Sequence, residues 1–124
     1  MEVILHDREL DLMEVLWERG SATTAEVRGA LEDDLAYNTV LTILRRMEDK
    51  GYLRHEEEGR AHRYFPLVGR EQVRRSTLTR MLDRVFGGSP ELLLNHLVAE
   101  RKLSATQIHR LKQLLNDHIA EEER

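Results

Sequence analysis

A mainly helical fold, a winged helix-turn-helix followed by C-terminal dimerisation helices, is what this 124-residue sequence predicts. Three observations carry it. The stretch AYNTVLTILRRMEDK, residues 36–50, is apolar at helical spacing on one face and polar on the other. A short capped helix and a tight acidic turn precede it, as in a helix-turn-helix. After Gly51 the period shortens to that of strands around a Glu-Gly tip. Three helices and a two-stranded wing fill residues 1–68, and a helical dimerisation segment fills residues 69–124.

The elements follow in order. Asp7 can cap a first helix, with Leu10, Met13, Leu16 and Trp17 at helical spacing and Gly20 as its stop. Thr23 followed by Glu26 matches a capping box and opens a short second helix with Val27, Ala30 and Leu31 inward. The organising helix comes next, with Val40, Ile43, Leu44 and Met47 in its apolar stripe and Gly51 at its left-handed end. The runs 52–57 and 60–65 then flank Glu58-Gly59 as a hairpin, which Pro66 closes because it cannot donate to a ladder.

From Arg70 helical spacing returns. Val73, Thr77, Met81 and Val85–Phe86 form a stripe that ends at Gly87-Gly88. Ser89-Pro90-Glu91 is a helix start, followed by Leu93, Leu94, Leu97 and Val98. Ser104 and Gln107 repeat the capping box before Ile108, Leu111, Leu115 and Ile119. So many narrow stripes in so short a segment have no core of their own to enter, and a symmetric partner is the economical answer. Leu97, Leu111 and Leu115 are the expected dimer contacts.

Composition narrows the function. The chain has no cysteine, so disulfides, thiolate zinc sites and thiol redox switches are excluded. None of its six histidines pairs with another at the i, i+4 spacing of a helical zinc site. His55 and His62 can meet across the hairpin, at best as a weak metal contact. Serines and threonines stand where caps belong, and no glycine-rich phosphate loop is present. Neither an enzyme nor a cofactor or metal site is expected. The opening MEVILHDREL has neither the basic start nor the apolar centre of a signal peptide, and no apolar run is long enough to insert in a membrane. A cytoplasmic protein is expected.

The net charge of −4 is not that of a bulk nucleic-acid binder. Residues 1–68 alone carry −6, yet six of their nine bases lie between Arg45 and Arg63. Local charge governs docking, whereas bulk charge governs non-specific attraction. On the polar face of the organising helix stand Asn38, Thr42 and Arg45, with Thr39 and Arg46 on its shoulder. Asn and Arg are the side chains that meet adenine and guanine edges in a major groove. Arg60, His62 and Arg63 on the wing suit phosphates or a minor groove. These residues point to double-stranded DNA. The competing reading is a protein-interaction module that uses the acidic surface, including Glu56 to Glu58.

The run LAYNTVLTILRRMEDKGYLRHEEEGRAHRYFPLV resembles the signature of the BlaI/MecI penicillinase-repressor family. Thr39, Val40, Thr42, Leu44, Arg46, Lys50, Gly51, Tyr64 and Pro66 stand at matching positions. The flanking segments LHDRELDLMEVLWERGSATTAEVRGAL and LVAERKLSATQIHRLKQLLN are similar too, so the likeness covers nearly the whole chain. The resemblance implies a homodimeric repressor on a pseudo-palindromic operator. For some members it also implies release by proteolysis downstream of a membrane sensor protease. Asn95 matches the first residue of that scissile bond, whereas His96 stands where the family has Phe, which argues against antibiotic-triggered cleavage. The cysteine-rich motif of copper-responsive relatives is absent.

Overall fold

The computed structural model describes residues 1–101 and 103–124. Its elements run α1 (Asp7–Arg19), β1 (Ala22–Thr23), α2 (Thr24–Ala30), α3 (Tyr37–Asp49), β2 (Leu53–Glu58), β3 (Ala61–Pro66), α4 (Arg70–Val85), α5 (Pro90–Arg101) and α6 (Ala105–Glu122). Two compact units, residues 1–79 and 80–124, divide inside α4.

The first unit is built on one apolar cluster. Leu12, Met13 and Leu16 of α1, Val27 of α2, and Val40, Leu44 and Met47 of α3 enter it. Leu53 and Tyr64 close it from the sheet, and Val73 from the start of α4. The stripe expected on residues 36–50 is therefore the buried one, and burial of this stripe fixes which side of α3 faces outward. The helix ends as its sequence requires. Gly51 takes φ +85°, a conformation that costs a residue with a side chain and leaves glycine unstrained.

Two sequence expectations change. The cap of α1 is His6, not Asp7. Glu9, three residues into the turn, accepts the His6 backbone N–H at 3.0 Å, which leaves Asp7 inside the first turn. The wing is also not a two-stranded sheet alone. Thr23 must be extended to cap α2, and that extended backbone pairs with β3 through Ala22↔Tyr64 and Thr23↔Arg63. The sheet order is β1-β3-β2, with β3 in the centre.

Hydrogen bonds fasten the N-terminal arm and the start of α4 to this unit. The Ile4 N–H donates to the Tyr52 hydroxyl at 2.9 Å and the Val3 N–H to Ser76 Oγ at 3.1 Å. Trp17 Nε1 donates to the Val68 carbonyl at 2.8 Å, and Arg70 stacks over the Trp17 ring.

In the second unit the caps are where the sequence puts them. Ser89 Oγ accepts the Leu92 N–H, and Ser104 and Gln107 form a reciprocal capping box at the start of α6. The apolar stripes stay open. No described residue of α5 or α6 is fully buried, and Leu97, Leu111 and Leu115 are 42, 38 and 56 % exposed.

Candidate nucleic-acid interface

Because α3 buries Val40, Ile43, Leu44 and Met47, the residues between them project from the unit. Asn38, Thr39, Thr42, Arg45 and Arg46 are all exposed on this one helix. Asn38, Thr39, Thr42, Ile43 and Arg46 line a shallow depression of about 300 Å³. Thr42 Oγ1 donates its proton to the Asn38 carbonyl at 2.8 Å. Its oxygen is thereby left as an acceptor, with the methyl group beside it. This face thus offers an amide with both donor and acceptor, a committed acceptor with a methyl, and two guanidinium forks. Among the described residues, neither Arg45 nor Arg46 has an ion-pair partner.

The base of this helix is held by a charge pair. Lys50 Nζ meets Glu9 Oε2 at 2.9 Å and Oε1 at 3.2 Å, with the Glu9 side chain only 3 % exposed. Burial works against the Glu9 charge. It is outweighed by the His6 amide and the Lys50 ammonium, so the carboxyl sits below its ordinary range.

The wing has two faces, set by the register Leu53↔Pro66 through Glu58↔Ala61. On one, Leu53 and Tyr64 are buried, and His55 and His62 stack with ring centroids 4.2 Å apart. Glu48 of α3 bonds His55 Nδ1, which ties this helix to the hairpin. The fully buried Tyr64 hydroxyl has no hydrogen-bond partner among the described residues. Burial pushes this phenol above its usual range, Glu48 adds to the rise, and Arg45 opposes it. The histidine pair was the sequence's metal candidate. Among the described residues no three His, Cys, Asp or Glu side chains are arranged to hold a metal ion.

On the other face Arg54 stacks over Phe65, 4.1 Å from the ring centroid, and bonds Glu56. Arg63 is enclosed by acceptors. Its Nε and one terminal nitrogen donate to the two oxygens of Glu58, each at 3.0 Å. The same nitrogen lies 3.1 Å from Glu26 Oε1, and the other donates to Ser21 Oγ at 3.3 Å. Arg60, at the hairpin tip, is exposed and has no ion-pair partner among the described residues.

Not every residue singled out in the sequence stands in this region. Leu97, Asn95 and His96 lie on α5 and Leu111 and Leu115 on α6, all in the second unit. Asn95 and His96 are exposed within the helix, where the His96 ring meets Phe86 edge-on at 5.6 Å. What the sequence reading missed is the set of acids around the bases: Glu9 at Lys50, Glu48 at His55, and Glu26 and Glu58 at Arg63. Only the last had a signal. In a hairpin with a two-residue tip, residues 58, 61 and 63 share a face.

A model of the penicillinase repressor family matches residues 5–117. The penicillinase repressor of Bacillus licheniformis is 29% identical over 116 residues, spanning 92% of this chain and 91% of that protein. The transcriptional regulator BlaI of Mycobacterium tuberculosis is 33% identical over 115 residues, or 90% of this chain and 82% of its own. Among solved structures, the monomeric form of B. licheniformis BlaI in complex with the blaP half-operator superposes with a TM-score of 0.50. It is 32% identical and covers 58% of this chain and 90% of that one.

Proposed function

Since the chain belongs to the penicillinase repressor family, we propose that it is a sequence-specific DNA-binding transcriptional repressor. It acts as a homodimer, α3 enters the major groove of each half of a pseudo-palindromic operator, and occupancy excludes polymerase. One observation carries this reading: Asn38, Thr42, Arg45 and Arg46 stand exposed on one helix, with both guanidinium groups unclaimed by acids. That set matches the donors and acceptors of base edges in a major groove. The BlaI half-operator complex supports it, because that protein aligns with this chain at 32% identity. The homodimer is supported by the apolar side chains left open along α5 and α6.

Release through a sensor protease at Asn95–His96 fits less well. The pair lies inside α5, whose backbone must unwind to enter a protease, and His96 replaces the expected Phe. No helix among the described residues is long and apolar enough to cross a membrane.

The test is an electrophoretic shift with the DNA upstream of the chain's own gene. A complex that resists excess unrelated duplex is expected. Equal competition by unrelated duplex would overturn the reading.

A further inference from the structure

Of the five arginines between residues 45 and 63, three have no ion-pair partner among the described residues, and two are spent within the protein. Arg63 is the extreme case. Three of its five N–H groups donate to acceptors, two to Glu58 and one to Ser21, and the Glu26 carboxylate lies 3.1 Å from one of the same terminal nitrogens. Its fork geometry is used up on a bidentate carboxylate, the arrangement in which a guanidinium binds most strongly. Two carboxylates engage the one guanidinium, so its charge is already compensated within the protein before a phosphate approaches.

The partners come from three separate places. Ser21 precedes β1, Glu26 is the third residue of α2 and closes its capping box, and Glu58 is the last residue of β2 before the Gly59-Arg60 tip. Arg63 itself sits on the central strand, opposite Thr23 on one side and Glu56 on the other. Glu26 is doubly committed, because its Oε1 also accepts the Thr23 N–H at 2.9 Å. The Arg63 hydrogen bond holds the Glu58 carboxyl below its ordinary range; for Glu26 the Thr23 amide and hydroxyl do the same, with smaller help from the Arg63 and Arg19 charges.

We propose that Arg63 is a positioning residue rather than a DNA contact: it clamps the wing tip to the start of α2 and so places Arg60 as the wing's phosphate contact. The inference rests on the repressor reading. The clamp gives Glu58 of the wing and Glu26 of α2 a purpose, since both engage Arg63, while Arg60 at the tip has no ion-pair partner among the described residues.

The test has two arms. Amide hydrogen exchange on the free protein compares wild type, Arg63→Lys and the charge-balanced double variant Arg63→Gln/Glu58→Gln. Lysine keeps the charge but cannot span Glu58, Glu26 and Ser21 together. Faster exchange at the tip amides and along β3 is expected in both variants, with α3 unchanged, and unchanged wing exchange would overturn the clamp. In the second arm, DNA affinity is measured for the double variant with and without Arg60→Ala, over a range of salt. The double variant should bind severalfold more weakly, and that loss should vanish once Arg60 is alanine. A loss that adds to that of Arg60→Ala, with the salt slope reduced by a further increment of about 0.9, would show Arg63 meeting a phosphate itself and overturn the proposal. Wild-type protein that failed to prefer operator over unrelated duplex would refute the repressor reading instead, and the exchange arm would still decide whether the clamp exists.

Discussion

At the scale of single residues, the site depends on which charges are already spoken for. Lys50 illustrates this. It follows the last residue of α3, and its ammonium meets a carboxylate that α1 has carried out of water. Removing one member of such a pair strands the other, and this outweighs the modest net worth of the intact pair. Lys50→Met should therefore destabilise the first unit by about 2–3 kcal/mol, toward the low end for buried pairs because the Lys50 side chain keeps 32 % of its exposure. The pH dependence has a definite sign. Glu9 titrates lower folded than unfolded, so its contribution is present above the ordinary carboxylate range and fades as pH falls through its folded value. Urea unfolding of both proteins from neutral pH downward should show the deficit of Lys50→Met full near pH 7 and narrowing in acid. A deficit independent of pH would assign the loss to packing of the lysine stem.

At the scale of elements, α3 joins the fold to the site. Its apolar stripe was legible in the sequence because Val40, Ile43, Leu44 and Met47 recur at helical spacing, and the exposed polar face is simply what that stripe leaves outside. The capping boxes at Thr23 and Ser104 were legible for a similar local reason. The third strand was not, because two residues of β1 carry no periodicity and pair only through a contact forty residues away. Partner acids were illegible on the same ground: Glu9 and Lys50 are 41 positions apart. The face itself yields a prediction. Arg46→Ala should weaken operator binding by about 1–3 kcal/mol. Asn38→Ala should relax preference at one base position, as expected for a base reader. A purely phosphate-bound Arg46 would weaken all duplexes alike and lower the salt slope by about one. Binding titrations on single-base operator variants separate these patterns, and wild-type affinity in both variants would remove α3 from the groove.

At the scale of the whole molecule, the exposed leucines of α5 and α6 bear on the proposed homodimer. Leu97, Leu111 and Leu115 are left partly exposed, and covering them against a second copy would recover roughly half of the ~1.5–3 kcal/mol that full burial of such a side chain is worth. The proposed dimer would place its α3 helices about one DNA turn, or a multiple of it, apart, and binding at one half-site would then raise the effective concentration at the other. A charge placed in that seam forces the copies apart, because an unpaired buried carboxylate costs more than the contact returns. Leu111 belongs to the second unit and is not a member of the first unit's buried cluster, so Leu111→Glu should leave the winged helix folded. The most direct test of recognition by a paired α3 is an operator titration of Leu111→Glu beside wild type, with sedimentation recording the oligomeric state of each sample. A monomeric variant whose affinity falls by orders of magnitude on the full operator is the expected result. A monomer that binds the full operator as tightly as wild type would contradict it.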